Sequence, residues 1–153
     1  MRTRARRRIE LGRRQDGNGL DDGPETGEGR GMIRHDTISL RGITATGYHG
    51  VFDHEKRDGQ PFVVDIVLHT DIRPAAASDD VLDTAHYGEL AELVQAEIMA
   101  GPYDLIEKLA EVIAAAVLRE FAVAAVEVTV HKPQAPIPVP FGDVSIGIYR
   151  ERA

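Results

Sequence analysis

The sequence predicts an α+β fold in which strands and helices occupy separate stretches of one domain. Two segments that alternate apolar and polar residues come first, two segments with helical apolar periodicity follow, and two more alternating segments end the chain. The predicted order is ββααββ, which fits an antiparallel four-stranded sheet covered by two antiparallel helices. An apolar content of 42% supports a core of ordinary size, and aliphatic side chains must fill it because only 5% of the residues are aromatic.

The first 33 residues are predicted to be an N-terminal extension, and residues 34–153 to be the domain. Residues 1–31 contain eight arginines and six acidic residues but few apolar side chains. Such a segment cannot bury enough surface to offset its chain entropy, so disorder is expected. A basic nucleic-acid arm is a weaker interpretation because the acids nearly cancel the arginines. A start codon assigned too early, ahead of Met32, is a third.

The first strand is predicted over Thr37–Tyr48 and the second over Pro61–Ile72. In the first strand the apolar phase slips after Leu40, and Gly42 at the slip indicates a β-bulge. In the second strand every other residue is apolar, which predicts one buried face. The polar segment 50–59 between them is predicted to be a hairpin-like loop.

Two helices are predicted in the middle of the chain. Thr84 is a plausible N-cap of the first helix, which ends at Gly101-Pro102. Asp104 is predicted to begin the second, and Glu107 three residues later completes a D-x-x-E capping pattern. The short connection between the helices implies that they are adjacent and antiparallel.

Strand periodicity returns near the end of the chain. Apolar residues alternate at positions 126–130 and 144–148, on either side of a proline-rich loop. A single four-stranded sheet with helices on one side leaves two unpaired edges and one less well covered face. Self-association that joins sheets edge to edge would solve both problems, so an oligomer is expected.

Composition and charge exclude several classes of protein. The absence of cysteine excludes disulfides, thiolate catalysis and cysteine-ligated metal sites. The net charge of −7 argues against nucleic acid as the main partner. No apolar run approaches the ~18 residues of a membrane span, and no secretory signal follows the first arginines, so a cytosolic location is expected. The histidines lack the helical H-x-x-x-H spacing of common zinc sites, and no phosphate-binding glycine loop is present.

Two residues could carry chemistry by their position alone. Strand parity directs Lys132 towards the helix-covered side of the sheet, where it is either a lysine that extends its ammonium to solvent or a partly desolvated acid–base group. Glu107 is either a helix cap or a carboxylate beside free backbone amides, which would match a heterocycle offering amine hydrogens and a carbonyl. On the same basis, Glu55 is a solvated loop charge and Tyr87 a packing residue.

Five segments, taken together and in order, resemble the dihydroneopterin aldolase family over residues 36–151. Each segment is weak evidence alone, but their order and spacing are specific. The segments are Gly47-Tyr48-His49-Gly50 with Glu55, Gly59-Gln60, Asp83 to Glu89, Leu105 to Ala110, and His131 to Pro138.

The resemblance implies the tunnelling fold, in which ββααββ subunits join their sheets into a barrel around a central channel. Four subunits would form a ring, two rings commonly stack into an octamer, and sites lie between neighbouring subunits. The implied activity is that of a lyase in tetrahydrofolate biosynthesis. It cleaves 7,8-dihydroneopterin by a retro-aldol reaction to 6-hydroxymethyl-7,8-dihydropterin and glycolaldehyde, with no metal, no cofactor and no Schiff base.

The resemblance also implies how the pterin is bound. Glu107 would anchor the 2-amino group and a ring N–H, and the Ile106 backbone amide would meet the ring carbonyl. Tyr87 and the adjacent backbone of Ala85 and His86 would come from the neighbouring subunit and enclose the ring.

The catalytic set implied by the resemblance is Lys132, Glu55 and Tyr87. Glu55 would contact the hydroxyls of the substrate side chain. Lys132 would transfer protons through an ordered water near ring N5. The dihydropterin's own C=N bond would absorb the electron pair released by cleavage, so the protein need only bind the substrate and move protons.

Two alternatives stay open at this stage. An epimerase on the same scaffold could act on dihydroneopterin or its triphosphate, because retro-aldol cleavage and re-addition invert C2′; oxygenase side activity is also possible in relatives. The acidic domain mildly favours the uncharged triol over a triphosphate. A non-catalytic pterin-binding ring protein is the second alternative, and the joint presence of the four residues Glu55, Tyr87, Glu107 and Lys132 argues against it.

Overall fold

The structure is a computed structural model that describes residues 36–153. Its strands are β1 (Asp36–Gly47), β2 (Gln60–Thr70), β3 (Ala125–His131) and β4 (Ser145–Glu151). Its α-helices are α1 (Asp53–Asp58), α2 (Arg73–Ser78), α3 (Tyr87–Met99) and α4 (Ile106–Glu120), with a 3-10 turn at Val81–Asp83. The extension predicted for residues 1–33 lies outside the described residues.

The predicted α+β class and ββααββ order of the main elements are confirmed. The four strands form one antiparallel sheet in the order β1-β2-β3-β4, and the long helices α3 and α4 connect the two central strands. The short helices α1 and α2 were not predicted, and α1 lies inside the segment expected to be a hairpin-like loop. None of the helices in the described part of the chain has the length and apolarity to cross a membrane.

The bulge predicted at Gly42 is confirmed. Strand pairing runs regularly to Leu40 opposite Ile66 and resumes with Ile43 opposite Val64. Gly42 has a φ of 75°, in the left-handed region that glycine adopts with least strain. Its N–H donates to Asp65 Oδ1 at 2.8 Å, so a side chain of the neighbouring strand β2 stabilises the bulge.

The core lies between the sheet and the helices α3 and α4. Alternate residues of the two central strands face one apolar stripe on each helix, which is the arrangement that the two periodicities predict. These side chains are fully buried: Phe62, Val64, Ile66, Leu68, Val126, Val128 and Val130 from the strands, and Leu90, Val94, Ile98, Leu109, Ile113 and Val117 from the helices. Burial of each stabilises the fold by roughly 1.5–3 kcal/mol, which fixes the helix ends relative to the strand ends.

Helix α3 begins later than predicted, at Tyr87 with His86 as its N-cap. The Nδ1 atom of His86 accepts a hydrogen bond from the Glu89 N–H at 3.2 Å. The expected cap Thr84 instead ends the 3-10 turn. The prediction was wrong because residues 81–83 form a 3-10 turn that ends at Thr84, so the α-helix begins only at Tyr87.

The capping pattern predicted at the start of α4 is also wrong. Leu105 is the N-cap and makes no side-chain cap bond, so Glu107 is the second helical residue and not the third. Asp104 lies outside the helix, and its Oδ1 is 2.6 Å from Lys56 Nζ. A tertiary ion pair has therefore replaced the local cap.

Candidate active site

The beginning of β2 and the end of β3 meet at one end of the sheet, where Val63 pairs with His131. Lys132 follows directly, and its backbone N–H donates to the Val144 carbonyl at 2.8 Å. Only 9% of Lys132 is exposed, so the side chain lies on the helix-covered side as strand parity predicts. It does not extend its ammonium into solvent.

The ammonium of Lys132 forms a buried ion pair with Glu55. Lys132 Nζ is 2.6 Å from Glu55 Oε1, and the two side chains are 11% and 3% exposed. The view of Glu55 as a solvated loop charge is therefore wrong. Helix α1, which carries Glu55, folds the loop inward and delivers the carboxylate to the end of β3.

Three donors hold the Glu55 carboxylate. Oε2 accepts from the Phe52 N–H at 3.1 Å, and Oε1 accepts from Gln60 Nε2 at 3.1 Å as well as from Lys132. Burial alone would raise the pKa of this carboxyl, but the hydrogen bonds from Lys132, Phe52 and Gln60 and the charge of Lys132 lower the pKa below its ordinary value. The group is a carboxylate at neutral pH.

Gly50 is needed for this packing. A Cβ atom at Gly50 would overlap the Glu55 carboxylate, so the backbone can approach the acid only without a side chain. Lys56 Nζ donates to the Gly50 carbonyl and also pairs with Asp104. The Gly50 N–H donates to the Tyr103 carbonyl at 2.9 Å. The loop that carries Glu55 is thereby fastened to the segment that leads into α4.

His49 is a site residue to which sequence reasoning assigned no role. It is fully buried, donates from Nε2 to the Ile98 carbonyl at 2.6 Å, and accepts at Nδ1 from the Tyr103 N–H at 3.0 Å. Because Nδ1 accepts, the ring proton must be on Nε2. Burial lowers the pKa of His49, and the nearby charges of Lys132 and Lys56 lower it further against the opposing bond to Ile98. A neutral imidazole therefore joins the end of α3 to the α3–α4 connection.

The predicted pterin anchor lies close to this loop along the chain. Glu107 is exposed and stands in the first turn of α4, three residues after the Asp104 that pairs with Lys56. Ile106, half-buried, is the first helical residue. Backbone N–H groups in the first turn of a helix have no acceptor within the helix, so carboxylate and donors stand side by side.

The other predicted site residues lie at the opposite end of the molecule. Ala85, His86 and Tyr87 are at the start of α3, and Tyr87 is 66% exposed. Ile98, whose carbonyl is bonded to His49, lies eleven residues further along α3. Tyr87 is therefore about 16 Å from Ile98 along the helix axis. A cavity of about 350 Å³ adjoins these three residues. One chain does not bring them to Glu55 and Lys132.

The arrangement suits acid–base chemistry on a small molecule. A buried ammonium within 2.6 Å of a carboxylate can pass protons without bulk water. A carboxylate beside free amides can bind a heterocycle with complementary donors and acceptors. The fold and site thus define an α+β protein with a buried ammonium–carboxylate pair at one end of its sheet, an arrangement that can transfer protons.

Comparison with known proteins identifies the family. The FolB dihydroneopterin aldolase model matches residues 38–149. The dihydroneopterin aldolase of Streptomyces coelicolor is 55% identical over 117 residues, which cover 76% of this chain and 98% of that protein. This chain belongs to the dihydroneopterin aldolase family.

Solved structures show the same relationship. A structure described as a putative dihydroneopterin aldolase from Vibrio cholerae O1 is 30% identical with a TM-score of 0.73, over 77% of this chain and 98% of that one. The Escherichia coli dihydroneopterin aldolase, solved in complex with neopterin, is 31% identical with a TM-score of 0.70, over 75% of this chain and 98% of that one.

Proposed function

We propose that this chain, a lyase of the dihydroneopterin aldolase family, cleaves 7,8-dihydroneopterin at a site shared between two copies. The buried Glu55–Lys132 pair, with Nζ and Oε1 2.6 Å apart, carries the proposal. A retro-aldol reaction needs groups that remove and return protons, and this pair supplies both within one enclosed position. The products are 6-hydroxymethyl-7,8-dihydropterin and glycolaldehyde.

The reaction requires one bond cleavage and two proton transfers. The C2′ hydroxyl of the substrate loses its proton and becomes the aldehyde of glycolaldehyde as the C1′–C2′ bond breaks. The bonding electron pair moves through C1′ into the C6=N5 bond and leaves an enamine. Protonation at C1′ then gives the hydroxymethyl product, and the pterin ring is restored.

Glu55 and Lys132 divide this work. Substrate hydroxyls compete with the ammonium for the Glu55 oxygens, which frees Lys132 to exchange protons. Lys132 then serves the reacting atoms through an ordered water near N5. No covalent adduct with Lys132 forms, because the dihydropterin itself holds the electron pair.

Binding of the pterin ring involves both ends of the chain. Glu107 takes the 2-amino group and a ring N–H, and the Ile106 amide donates to the ring carbonyl. Tyr87, with the backbone of Ala85 and His86, covers the ring from a second copy. The 66% exposure of Tyr87 and its separation from Lys132 support this sharing.

The proposed assembly is a ring of four chains whose sheets join into a barrel, with two rings stacked as an octamer. Within residues 36–153, β1 and β4 each have a strand on one side only, so both outer edges are open to a second copy. A cytosolic location, expected from the sequence, stays part of this proposal.

Product analysis tests the activity. Purified protein is incubated with 7,8-dihydroneopterin, without added metal or cofactor, and the pterins are separated by chromatography. We expect 6-hydroxymethyl-7,8-dihydropterin, and any dihydromonapterin beside it would measure an epimerase share from re-addition at C2′. A folded protein that yields neither product would overturn the proposal.

A further inference from the structure

Gln60 lies inside the site, and the proposed mechanism gives it no role beyond its bond to Glu55. It is the first residue of β2 and only 8% exposed. Its Nε2 donates to Glu55 Oε1, the same oxygen that Lys132 contacts. Its second polar atom, Oε1, is buried, and no donor among residues 36–153 forms a hydrogen bond with it.

The orientation of this carboxamide is fixed by its neighbour. If the nitrogen and oxygen exchanged places, the Gln60 oxygen would face the Glu55 carboxylate, and two acceptors would meet without a proton between them. The carbonyl therefore keeps its position beside Glu55. Buried polar atoms in native proteins are nearly always paired, so an acceptor held in this way indicates a donor that arrives with a ligand.

The chemistry of that donor follows from the two acceptors. Glu55 and Gln60 present a carboxylate oxygen and an amide oxygen next to each other, which suits two neighbouring hydroxyl groups. The substrate in the proposed function carries a trihydroxypropyl tail with a vicinal diol at C2′ and C3′. The product keeps only the C1′ hydroxyl.

We propose that Gln60 Oε1 accepts a hydrogen bond from a hydroxyl of the substrate tail, so that Gln60 and Glu55 together recognise the diol. This inference rests on the proposed function, since the tail belongs to that substrate. Gln60 is a specificity residue that touches the substrate and takes no part in proton transfer. Because the product lacks the diol, the same contact favours substrate binding over product retention.

The test measures how much the tail contributes to affinity. Equilibrium dissociation constants are determined for neopterin and for 6-hydroxymethylpterin, which differ only in the diol-bearing part of the tail. We expect Gln60→Met to reduce the preference for neopterin by about tenfold, with binding of 6-hydroxymethylpterin nearly unchanged. Gln95→Met is the matched control, because Gln95 is exposed on α3 and should leave both constants unchanged.

A Glu55→Gln background separates direct contact from an effect through Glu55. If Gln60 touches the tail, Gln60→Met should still lower the preference severalfold in that background. An unchanged preference in both backgrounds, or a change only when Glu55 is present, would overturn the inference. Should the methionine variant fail to fold, Gln60→Asn withdraws the carbonyl by one methylene and gives the same comparison.

The result also distinguishes the two proposals. A wild-type protein that binds 6-hydroxymethylpterin while Gln60→Met leaves the tail preference intact would overturn only the role of Gln60. A wild-type protein that binds neither pterin would overturn the proposed function, and the inference with it.

Discussion

The two ends of helix α3 present different kinds of surface. At the C-terminal end, His49 and the Glu55–Lys132 pair are buried, and their polar atoms bond to one another and to nearby backbone. At the N-terminal end, Tyr87 is 66% exposed beside an open cavity. Residues of one chain enclose the first end, whereas the second offers an aromatic ring that residues 36–153 leave mostly uncovered. The difference supports the proposal that a whole site takes one end from each of two copies.

The largest expected effect is at the buried end. Lys132→Ala should leave pterin binding largely intact and lower kcat by roughly 10²–10⁴-fold, because it removes the group that is proposed to move protons. Lys132→Gln is the matched variant, since its amide can still donate to Glu55 but cannot transfer a proton. Steady-state turnover of 7,8-dihydroneopterin measures both. Turnover at the wild-type rate in either variant would remove Lys132 from the mechanism.

The next largest expected effect is a loss of pterin affinity on substitution of Glu107, at the start of α4. Glu107→Ala should weaken pterin binding by roughly 10–100-fold, since it removes a charged partner of two ring donors. The fold should persist because Glu107 is exposed. Titration with neopterin measures the change, and Glu92→Ala, an exposed change on α3, serves as control. Affinity within a few-fold of wild type would contradict the anchoring role.

A smaller effect is expected at the exposed end. Tyr87→Ala should weaken neopterin binding by about 2–10-fold, the range for loss of one aromatic contact. Tyr87→Phe keeps the ring and should bind like wild type. Both titrations are needed, and equal affinities for wild type and Tyr87→Ala would show that this end does not cover the pterin.

The smallest expected effect concerns His131, the last residue of β3, which directly precedes Lys132 and faces the opposite side of the sheet. Its Nδ1 is 2.6 Å from Asp143 Oδ2, and its Nε2 is 2.7 Å from Asp65 Oδ2. Hydrogen bonds to Asp143 and Asp65 raise the pKa of His131 above its ordinary 6.5, against a smaller opposing effect of burial. Protonated His131 therefore stabilises the fold fully below pH 6.5, and the contribution is lost as pH rises through the raised pKa.

Replacement of His131 by glutamine should expose this pH dependence. We expect His131→Gln to be less stable than wild type by about 1 kcal/mol or less at low pH, with the difference shrinking at alkaline pH. The stability difference is measured from the urea unfolding midpoints of both proteins, once below pH 6.5 and once at alkaline pH. A difference that grows with pH would show that the two carboxylates do not hold a protonated imidazole.

Local patterns predicted much of the fold. The order of strands and helices followed from periodicity, and the phase slip at Gly42 predicted the bulge that the structure contains. Strand parity also gave the buried direction of Lys132. These features depend on neighbouring residues, so a single sequence carries the information.

The rest depended on distant partners. Helix α1 has six polar or charged residues and no apolar periodicity, so no local pattern predicts it. The burial of Glu55 depends on Lys132, which lies just after β3 and far from Glu55 along the chain. Asp104 has good capping chemistry, but Lys56 binds it instead. His49 has no signal beyond its motif, because its two partners, Ile98 and Tyr103, lie some fifty residues along the chain. The roles of Glu107 and Tyr87 came from the family resemblance and stay predictions.

Crosslinking between the two ends tests the shared site most directly. The chain contains no cysteine, so a Tyr87→Cys, Glu107→Cys double variant has only those two thiols. A bismaleimide shorter than the separation of the two ends within one chain should join thiols of different copies and give a ladder of linked chains on a denaturing gel. Each single-cysteine variant should give much less crosslinked product. Single chains alone, with both thiols shown to be modified, would contradict a site built from two copies.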